Sequence, residues 1–426
     1  MRELGGDMHK RSGTQLEVVD IGSTPPLGLV PKRMHAVVIR KGREGEPLEA
    51  MRPEVVDVPE PGPDDVLVWV MAAGVNFNGI WASRGKPVSI MGPGEDFHIA
   101  GSDASGYVWK IGSNVKRWKV GDEVVVHCNH ACGQCPECNG FDPLACTEQK
   151  IWGYETNYGS FAQLCKVQAQ QLVRKPPQLG WVESASYGLT YFTAYRMLVD
   201  QAKVRPGDNV LVWGASGGLG IFAVQICKTM GANAVAVVSS ERKAELARRL
   251  GAAGTIDRRD FDLNLKPGAT AEDVKRRGAE MKRFGKAIRE ITDGRDPDVV
   301  FEHVGQQTFP TSVFVAKRFG TIVICGATSG YHLEFDVRHL WMRQKRIIGS
   351  HFANAYEAER ANRLIAEGKI VPYVDKVFPF EKTAEAHAEM AGNRHMGKMV
   401  ITVGAPYVPV HDAKAVPYLD GAPAHA

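Results

Sequence analysis

A chain of 426 residues exceeds a typical single core and predicts two domains. Its 44% hydrophobic and 23% charged content is that of an ordinary globular protein, and a net charge of +4 from mixed signs speaks against nucleic acid or a membrane surface as partner while suiting a small anionic ligand. The N-terminal stretch MRELGGDMHKRSGTQLEVVD lacks the apolar run of a secretory signal, and no segment is long and apolar enough to span a bilayer, so a cytoplasmic protein is expected.

Residues 1–33 are polar and read as an extension packed on the surface or partly disordered. From Met34 the runs MHAVVIR, DVLVWVMAAGVN, SGYVWKIG and GDEVVVHC are short and β-branched, which predicts a β-rich first domain over 34–195, rejoined by 347–426. Within it, HACGQCPECNGFDPLAC (130–146) holds Cys132, Cys135, Cys138 and Cys146 at C-x2-C-x2-C-x7-C spacing, a metal clamp rather than a disulfide pair in a reducing compartment. The other cysteines (Cys128, Cys165, Cys227 and Cys325) lie in apolar runs and read as buried thiols.

From about Ala194 strands and helices alternate: DNVLVWGA, LGIFAVQICKTMGA ending at Gly231, NAVAVVSS, ERKAELARRLGA, then DPDVVFEHVG and FGTIVICG. Such alternation means βαβ units and a parallel sheet, an α/β nucleotide-binding domain over 196–346. The charged stretch 258–295 reads as one or two solvent-facing helices inserted beside that sheet, and IIGSHFANAYEAERANRLIAEG as a helix on the return to the first domain. The Ala- and Pro-rich end reads as a loose tail.

VLVWG runs into Gly214, Ala215, Ser216, Gly217, Gly218, Leu219 and Gly220 and then into an apolar helix. Glycines there permit a tight turn and let backbone N–H groups approach a pyrophosphate at the helix start. The second strand ends at Ser239 and Ser240, with Arg242 and Lys243 just beyond, where an NAD site would carry an acid for the ribose hydroxyls. Small hydroxyls and two cations favour a 2′-phosphate, hence NADPH; Glu241, next to a lysine, is expected to point to water.

These motifs resemble the medium-chain dehydrogenase/reductase superfamily over roughly residues 34–404, which implies a GroES-like β-rich catalytic domain joined to a doubly wound Rossmann domain. The superfamily's zinc alcohol dehydrogenases hold a structural zinc in a lobe of this cysteine spacing, four thiolates leaving no open position. Their catalytic zinc ligands have no counterpart here: Asn76-Phe77 stands for Cys-His, Ser102 for the His of G-H-E, and SASYGLTYFTAY contains no Cys. The resemblance therefore implies a structural metal and no catalytic one.

VNFNGIW (75–81), IWGYETNYGSFAQ (151–163), VFEHVG (300–305), IIGSHFANAYEAERANRLIAEGKI (347–370) and the charged insert closely resemble crotonyl-CoA carboxylase/reductases. In that family NADPH hydride addition to crotonyl-CoA gives an enolate that CO2 traps as ethylmalonyl-CoA. The family's CO2 pocket carries over to Asn78, Tyr154, Glu155 and His351. Asn78 is preferred to Asn76 because it falls where zinc dehydrogenases place the hydroxyl that touches substrate. Asn78, His351 and the Tyr154 N–H are expected to donate to CO2 oxygens, and Glu155 to fix a water or the histidine tautomer. Two departures stand out: this chain keeps all four lobe cysteines, and the pocket aromatic, often Phe, is Tyr154. Arg338, Arg343, Lys345 and Arg346 are candidates for CoA phosphates.

The resemblance implies an acyl-CoA substrate, CO2 as co-substrate and a homodimer or homotetramer. The competing readings are a non-carboxylating enoyl-CoA reductase of the same fold, a zinc alcohol dehydrogenase, disfavoured by its missing ligands, and a non-enzymatic NADPH-binding protein.

Overall fold

The structure is a computed structural model and describes residues 16–265 and 268–408. Most of the loose tail and the first part of the N-terminal extension lie outside the described residues. The described part of the extension is pinned to the β-rich domain. Gln163 donates to the Val19 carbonyl at 2.8 Å, Trp109 Nε1 to the Leu29 carbonyl at 3.0 Å, and the Gly22 N–H to the Val403 carbonyl at 3.1 Å.

The β-rich domain is built on a seven-stranded sheet whose long central strand Asp65–Gly74 pairs antiparallel with Ala104–Ile111, Leu164–Gln168 and Lys398–Thr402. Val66, Val68 and Val70 face one apolar cluster and Leu67, Trp69 and Met71 another, the period-two alternation of a strand buried on both sides. A three-stranded sheet (Met51–Asp57, Arg33–Arg40, Phe97–Ile99) closes one side.

The nucleotide-binding domain is a six-stranded parallel sheet. Its spatial order is Gly254–Asp257, Asn233–Val238, Asn209–Val212, Val299–Glu302, Thr321–Ile324, Arg346–Gly349, which in sequence terms is 3-2-1-4-5-6. That order is the Rossmann arrangement, with its crevice where the chain reverses direction across the sheet, beyond the end of Asn209–Val212. Helix Gly220–Met230 leaves this strand and ends at Gly231 (φ +74°), as expected from the sequence.

One domain boundary differs from the sequence reading. The strand Arg346–Gly349 belongs to the parallel sheet, paired with Thr321–Ile324, and helix Ala355–Ala366 buries Ala358, Ala361 and Ile365 against the Rossmann core. The chain rejoins the catalytic sheet only at Val374–Pro379, not at residue 347. Pairing in the sheet, invisible to local pattern, decides which domain a strand joins. The charged insert forms one long helix, Ala271–Ile291, begun by a capping box in which Thr270 and Asp273 exchange bonds. It is not wholly solvent-facing: Met281, Phe284 and Ile288 form a buried stripe, and Phe284 stacks on Trp213 at 5.2 Å and 8°.

Candidate active site

The glycine loop lies where the sequence places it. Gly214 takes φ +57°, a region that penalises any side chain, and a Cβ there would stand 3.0 Å from His303 Nε2. Gly214, Ser216, Gly217, Gly218 and Leu219 line a cleft of about 470 Å³, while Ala215 is buried beneath it and Gly220 opens the helix. Ser239 and Lys243 line the same cleft, with Lys243 Nζ 3.4 Å from Ser239 Oγ. Glu241 turns outward to Arg248 at 2.8 Å, so it leaves the cleft to the cations. Ser240 caps the next helix by accepting from the Lys243 N–H, and Arg242 faces Asp375 at 3.6 Å rather than the cleft.

Sequence reasoning missed three contributors to this cleft. Arg258, at the start of the insert, lines it and lies near Lys243; burial first, and then this second positive charge, holds the Lys243 ammonium below its usual range. Glu302, fully buried, accepts from the N–H groups of His303, Val304 and Gly305 and from Thr308 and Ser312, fixing the turn that forms the cleft's far wall. Lys398, also in the lining, is buried against Asp103 at 3.1 Å and donates to Asn76 Oδ1 and the Val75 carbonyl. Asn76 returns a 2.8 Å bond to Asp103. Burial pushes the Asp103 carboxyl up and the Lys398 ammonium down, and their contact opposes both shifts. A single Lys opening an apolar strand and an Asp next to Ser102 are the only sequence signals for this pair.

The two domains meet at this point. The Gly397 N–H donates to the Ser216 carbonyl at 2.7 Å, so the glycine loop is hydrogen-bonded to the segment entering the last catalytic-domain strand.

On the catalytic-domain side, Asn78 lies in helix Phe77–Arg84, buried, and donates to Ser102 Oγ at 2.7 Å. The neighbouring Gly101 N–H bonds to the Gly153 carbonyl at 3.1 Å; Gly153 has φ +72°, and a Cβ on it would be 1.9 Å from the Gly101 oxygen. That close approach brings the Tyr154–Glu155 turn to the Asn78–Ser102 pair. Phe352, next to His351, packs against the apolar cluster that contains Ile80, Trp152 and Tyr154. Tyr154 and the neighbours of Asn78 and His351, Ile80 and Phe352, thus share one apolar cluster, and among the described residues Asn78, Tyr154, Glu155 and His351 show no hydrogen bond to one another.

Three expected roles differ from what the structure shows. The Tyr154 N–H is given to the Ile151 carbonyl at 3.2 Å, and its hydroxyl donates to the Lys86 carbonyl at 3.1 Å, so neither points freely at a ligand. The turn itself takes the N–H, and a separate loop at Lys86 takes the hydroxyl. Glu155 accepts from the Ile151 N–H at 2.9 Å, holding its own turn rather than the histidine. Lys345 is buried and donates to the Val313 and Phe314 carbonyls, which removes it from the CoA candidates, and Arg338 is paired with Asp336 at 2.6 Å. Arg343 and Arg346 remain.

His351 is exposed. Partial loss of hydration by the surrounding protein, and then the nearby Arg196 guanidinium, lowers its pKa, which favours the neutral imidazole with its one N–H donor.

The four cysteine sulfurs of the lobe lie within 4.8 Å of one another, with Cys132 and Cys138 3.9 Å apart. A tetrahedral zinc with bonds of about 2.3 Å spaces its sulfurs by about 3.8 Å, so the set fits the ion. The Gln134 and Cys135 N–H groups both point at Cys132 Sγ at 3.4 Å, donors that suit a thiolate ligand.

Profiles of two domain families match the chain: the alcohol dehydrogenase GroES-like domain over 62–177 and the zinc-binding dehydrogenase domain over 218–367. A crotonyl-CoA carboxylase/reductase of Cereibacter sphaeroides is 51% identical over 410 residues, 95% of each chain. The solved crotonyl-CoA carboxylase/reductase AntE in complex with NADP superposes with a TM-score of 0.86 at 45% identity, covering 92% of this chain and 100% of that one. The 2-octenoyl-CoA carboxylase reductase CinF, solved with NADP and 2-octenoyl-CoA, gives 0.84 at 39% identity over 92% of this chain and 94% of that one. With both domain families in order along one Rossmann and GroES-like architecture, the chain belongs to the crotonyl-CoA carboxylase/reductase family of the medium-chain dehydrogenase/reductase superfamily.

Proposed function

We propose that this protein is an NADPH-dependent reductive carboxylase of a short-chain enoyl-CoA, converting crotonyl-CoA and CO2 to ethylmalonyl-CoA. NADPH supplies a hydride to the β carbon, and the thioester enolate so formed bonds through its α carbon to CO2. The observation that carries the reading is the joining of two sites. A cleft with Ser239, Lys243 and Arg258 at one end, suited to a 2′-phosphate, reaches Asn76 and Phe77 at the other, next to Asn78.

The residues divide the work. The glycine loop presents backbone N–H groups to the pyrophosphate. Asn78 has a second amide proton, and neutral His351 one N–H; these are the donors assigned to the CO2 oxygens, where negative charge grows as the new C–C bond forms. Tyr154 and Glu155 form the wall, and since the Tyr154 N–H and hydroxyl are already given to Ile151 and Lys86, the tyrosine offers no free proton to compete for the enolate. Zinc in the four-cysteine lobe would be held by thiolates alone, and its contribution is structural. Arg343 and Arg346 are the cations left for CoA phosphates.

The outer strand Arg346–Gly349 is largely exposed and has a neighbour on one side only, and Trp341, Met342 and Ile347 beside it are exposed. An uncovered sheet edge with apolar flanks supports a homodimer or homotetramer, to be measured by light scattering on the eluted protein. No helix among the described residues is long and apolar enough to cross a membrane, and eight cysteines without a disulfide suit the reducing cytoplasm.

The test is NADPH oxidation with crotonyl-CoA, with and without bicarbonate and carbonic anhydrase, products weighed by mass spectrometry. Faster turnover with CO2 and ethylmalonyl-CoA as the main product is the expected result. Butyryl-CoA as the main product at saturating CO2 would instead make the protein a non-carboxylating enoyl-CoA reductase.

A further inference from the structure

The four-cysteine lobe is remote in sequence from His351, yet one buried ion network joins them. Asp142 lies between Cys138 and Cys146, in the loop that the thiolate cluster closes. Its Oδ2 accepts from Arg196 Nη2 at 2.6 Å, and its Oδ1 from the Leu144 N–H at 3.1 Å and from Asn354 Nδ2 at 3.3 Å. The other arm of Arg196 reaches Glu357 Oε1, also at 2.6 Å. Glu357 Oε2 in turn accepts from the Asn354 N–H at 2.9 Å, and the Glu357 N–H donates to Asn354 Oδ1 at 2.9 Å, which closes the capping box of helix Ala355–Ala366.

The segment carrying His351 is thus held from both ends. It leaves the edge strand at Gly349, where the Ser350 N–H bonds to the Ile324 carbonyl at 2.8 Å, and enters the helix cap at Asn354. Between them Phe352 takes φ +43°, a conformation unfavourable for an aromatic residue and kept only by surrounding constraints, and Ala353 is buried. The cap end is fixed by Arg196 to a loop of the other domain. Side-chain exposure is 10% for Arg196, 6% for Glu357 and 19% for Asp142, so water does little to weaken the contacts.

We propose that Arg196 is a positioning residue for His351, and that the metal lobe bears on the carboxylation step by holding Asp142 where Arg196 can bridge it to the helix cap. Only arginine spans two carboxylates from one planar head; lysine offers a single ammonium to either. The lobe keeps its cysteines, on this account, because an unclamped loop would leave Arg196 without one of its two anchors. The inference rests on the assignment of His351 to the CO2 pocket.

The experiment compares Arg196→Gln, Arg196→Lys, Asp142→Asn and His351→Asn in the full-length enzyme with native metal content. Four quantities are read: the ratio of ethylmalonyl-CoA to butyryl-CoA, the CO2 concentration giving half-maximal carboxylation, the Kd for NADPH, and amide hydrogen exchange over residues 350–357. Misplacement by about 1 Å at a reacting centre costs up to about a hundredfold, so Arg196→Gln is expected to lower the product ratio by roughly tenfold or more. It should also raise the half-saturating CO2, speed exchange across 350–357 and leave the NADPH Kd unchanged. Arg196→Lys should fall between it and the wild type, and Asp142→Asn, which keeps the Leu144 contact, should move in the same direction by less.

An unchanged ratio in Arg196→Gln, beside a collapsed ratio in His351→Asn, overturns this inference and leaves the pocket assignment intact. An unchanged ratio in His351→Asn overturns the pocket assignment itself. Should Arg196→Gln not fold, Asp142→Asn together with metal-depleted enzyme decides. Slower or unchanged exchange at 350–357 with an undiminished ratio in both refutes the link from lobe to histidine.

Discussion

Replacing Lys398 by methionine tests the buried charge pair at the domain junction. The Lys398 side chain is 1% exposed and Asp103 is 0% exposed, so water cannot take over for either partner. Methionine conserves most of the volume, so the cavity contribution is small. What is lost is the ammonium and its three acceptors: Asp103 Oδ2, Asn76 Oδ1 and the Val75 carbonyl. Breaking a buried pair by deleting one member costs about 3–5 kcal/mol, because the remaining charge has no counter-ion. Asp103 keeps bonds from Asn76 Nδ2 and the Leu189 N–H, which places the expected loss near the lower figure, ~3 kcal/mol. Without the ammonium, only burial and two neutral donors act on the carboxyl, so its pKa rises further. Because a folded-state pKa above the unfolded value makes protonation stabilising, the variant should gain stability relative to wild type as pH falls through the raised Asp103 pKa. Adding Asp103→Asn should recover much of the loss. Urea midpoints of wild type, both singles and the double variant at two pH values provide the double-mutant cycle. Additive effects, or a single-variant cost below about 1 kcal/mol, would show that the pair is not coupled as the structure indicates and refute the reasoning.

Other consequences are open to direct measurement. Lys243→Ala and Arg258→Ala should each weaken NADPH by roughly tenfold and NADH hardly at all, since a charge-assisted bond to phosphate is worth about 1.5–3 kcal/mol; equal losses for both nucleotides in kinetic assays would remove these cations from the 2′-phosphate site. Tyr154→Phe removes a hydroxyl bonded to the Lys86 carbonyl, so it should cost about 1 kcal/mol of stability and leave the carboxylation ratio within about twofold. A collapse of that ratio would show that the hydroxyl acts on substrate. His98, His127 and His387 are held by burial at pKa values of about 4, below the value near 6.5 of an unfolded chain. The unfolded state then binds more protons between those limits, so the Tm should fall as pH drops from about 6.5 to 4, and less steeply in His387→Gln. A Tm independent of pH over that window would contradict the burial of these imidazoles.

How far the sequence carries depends on how local each signal is. The glycine loop, the lobe cysteines and the strand–helix alternation are contiguous patterns, and the structure places all three as expected. The NADPH preference rests on the residues just beyond the second strand, and Ser239 and Lys243 do face the cleft. Arg242 faces Asp375 instead, and the further cation lining the cleft is Arg258, from a segment the sequence marks only as charged. The pair Asp103–Lys398 joins residues 295 positions apart, so no window could contain both. The Arg346–Gly349 strand is misplaced by local pattern for a related reason: its residues look the same whether it pairs with the Rossmann sheet or returns to the catalytic domain. Tyr154 and Glu155 differ from expectation for another reason: residue type gives the donors and acceptors a residue owns but not which of them the fold has already used, here with Ile151 and Lys86.

The chain's handling of charge connects these findings. Where zinc dehydrogenases place metal ligands, Asn76 accepts from the Lys398 ammonium and Ser102 accepts from Asn78. The ammonium's contacts are spent on Asp103, Asn76 and Val75, leaving a locally neutral pair rather than a strong positive centre. A dication attracts an oxyanion from any direction, and small displacements change little. Donors such as a carboxamide or a neutral imidazole act only along their N–H bonds and weaken steeply when misaligned. Tenfold selectivity between CO2 and a proton corresponds to only about 1.4 kcal/mol, which a modest misalignment of one donor removes. In the proposed pocket, therefore, fidelity must come from fixing the donors, and each is fixed separately: Asn78 by Ser102, and the His351 segment by the Arg196 bridge. On that proposal, keeping a four-cysteine lobe that fits a metal without the catalytic ligands is consistent chemistry, because rigid positioning would take over the work that a metal's charge does elsewhere in the superfamily.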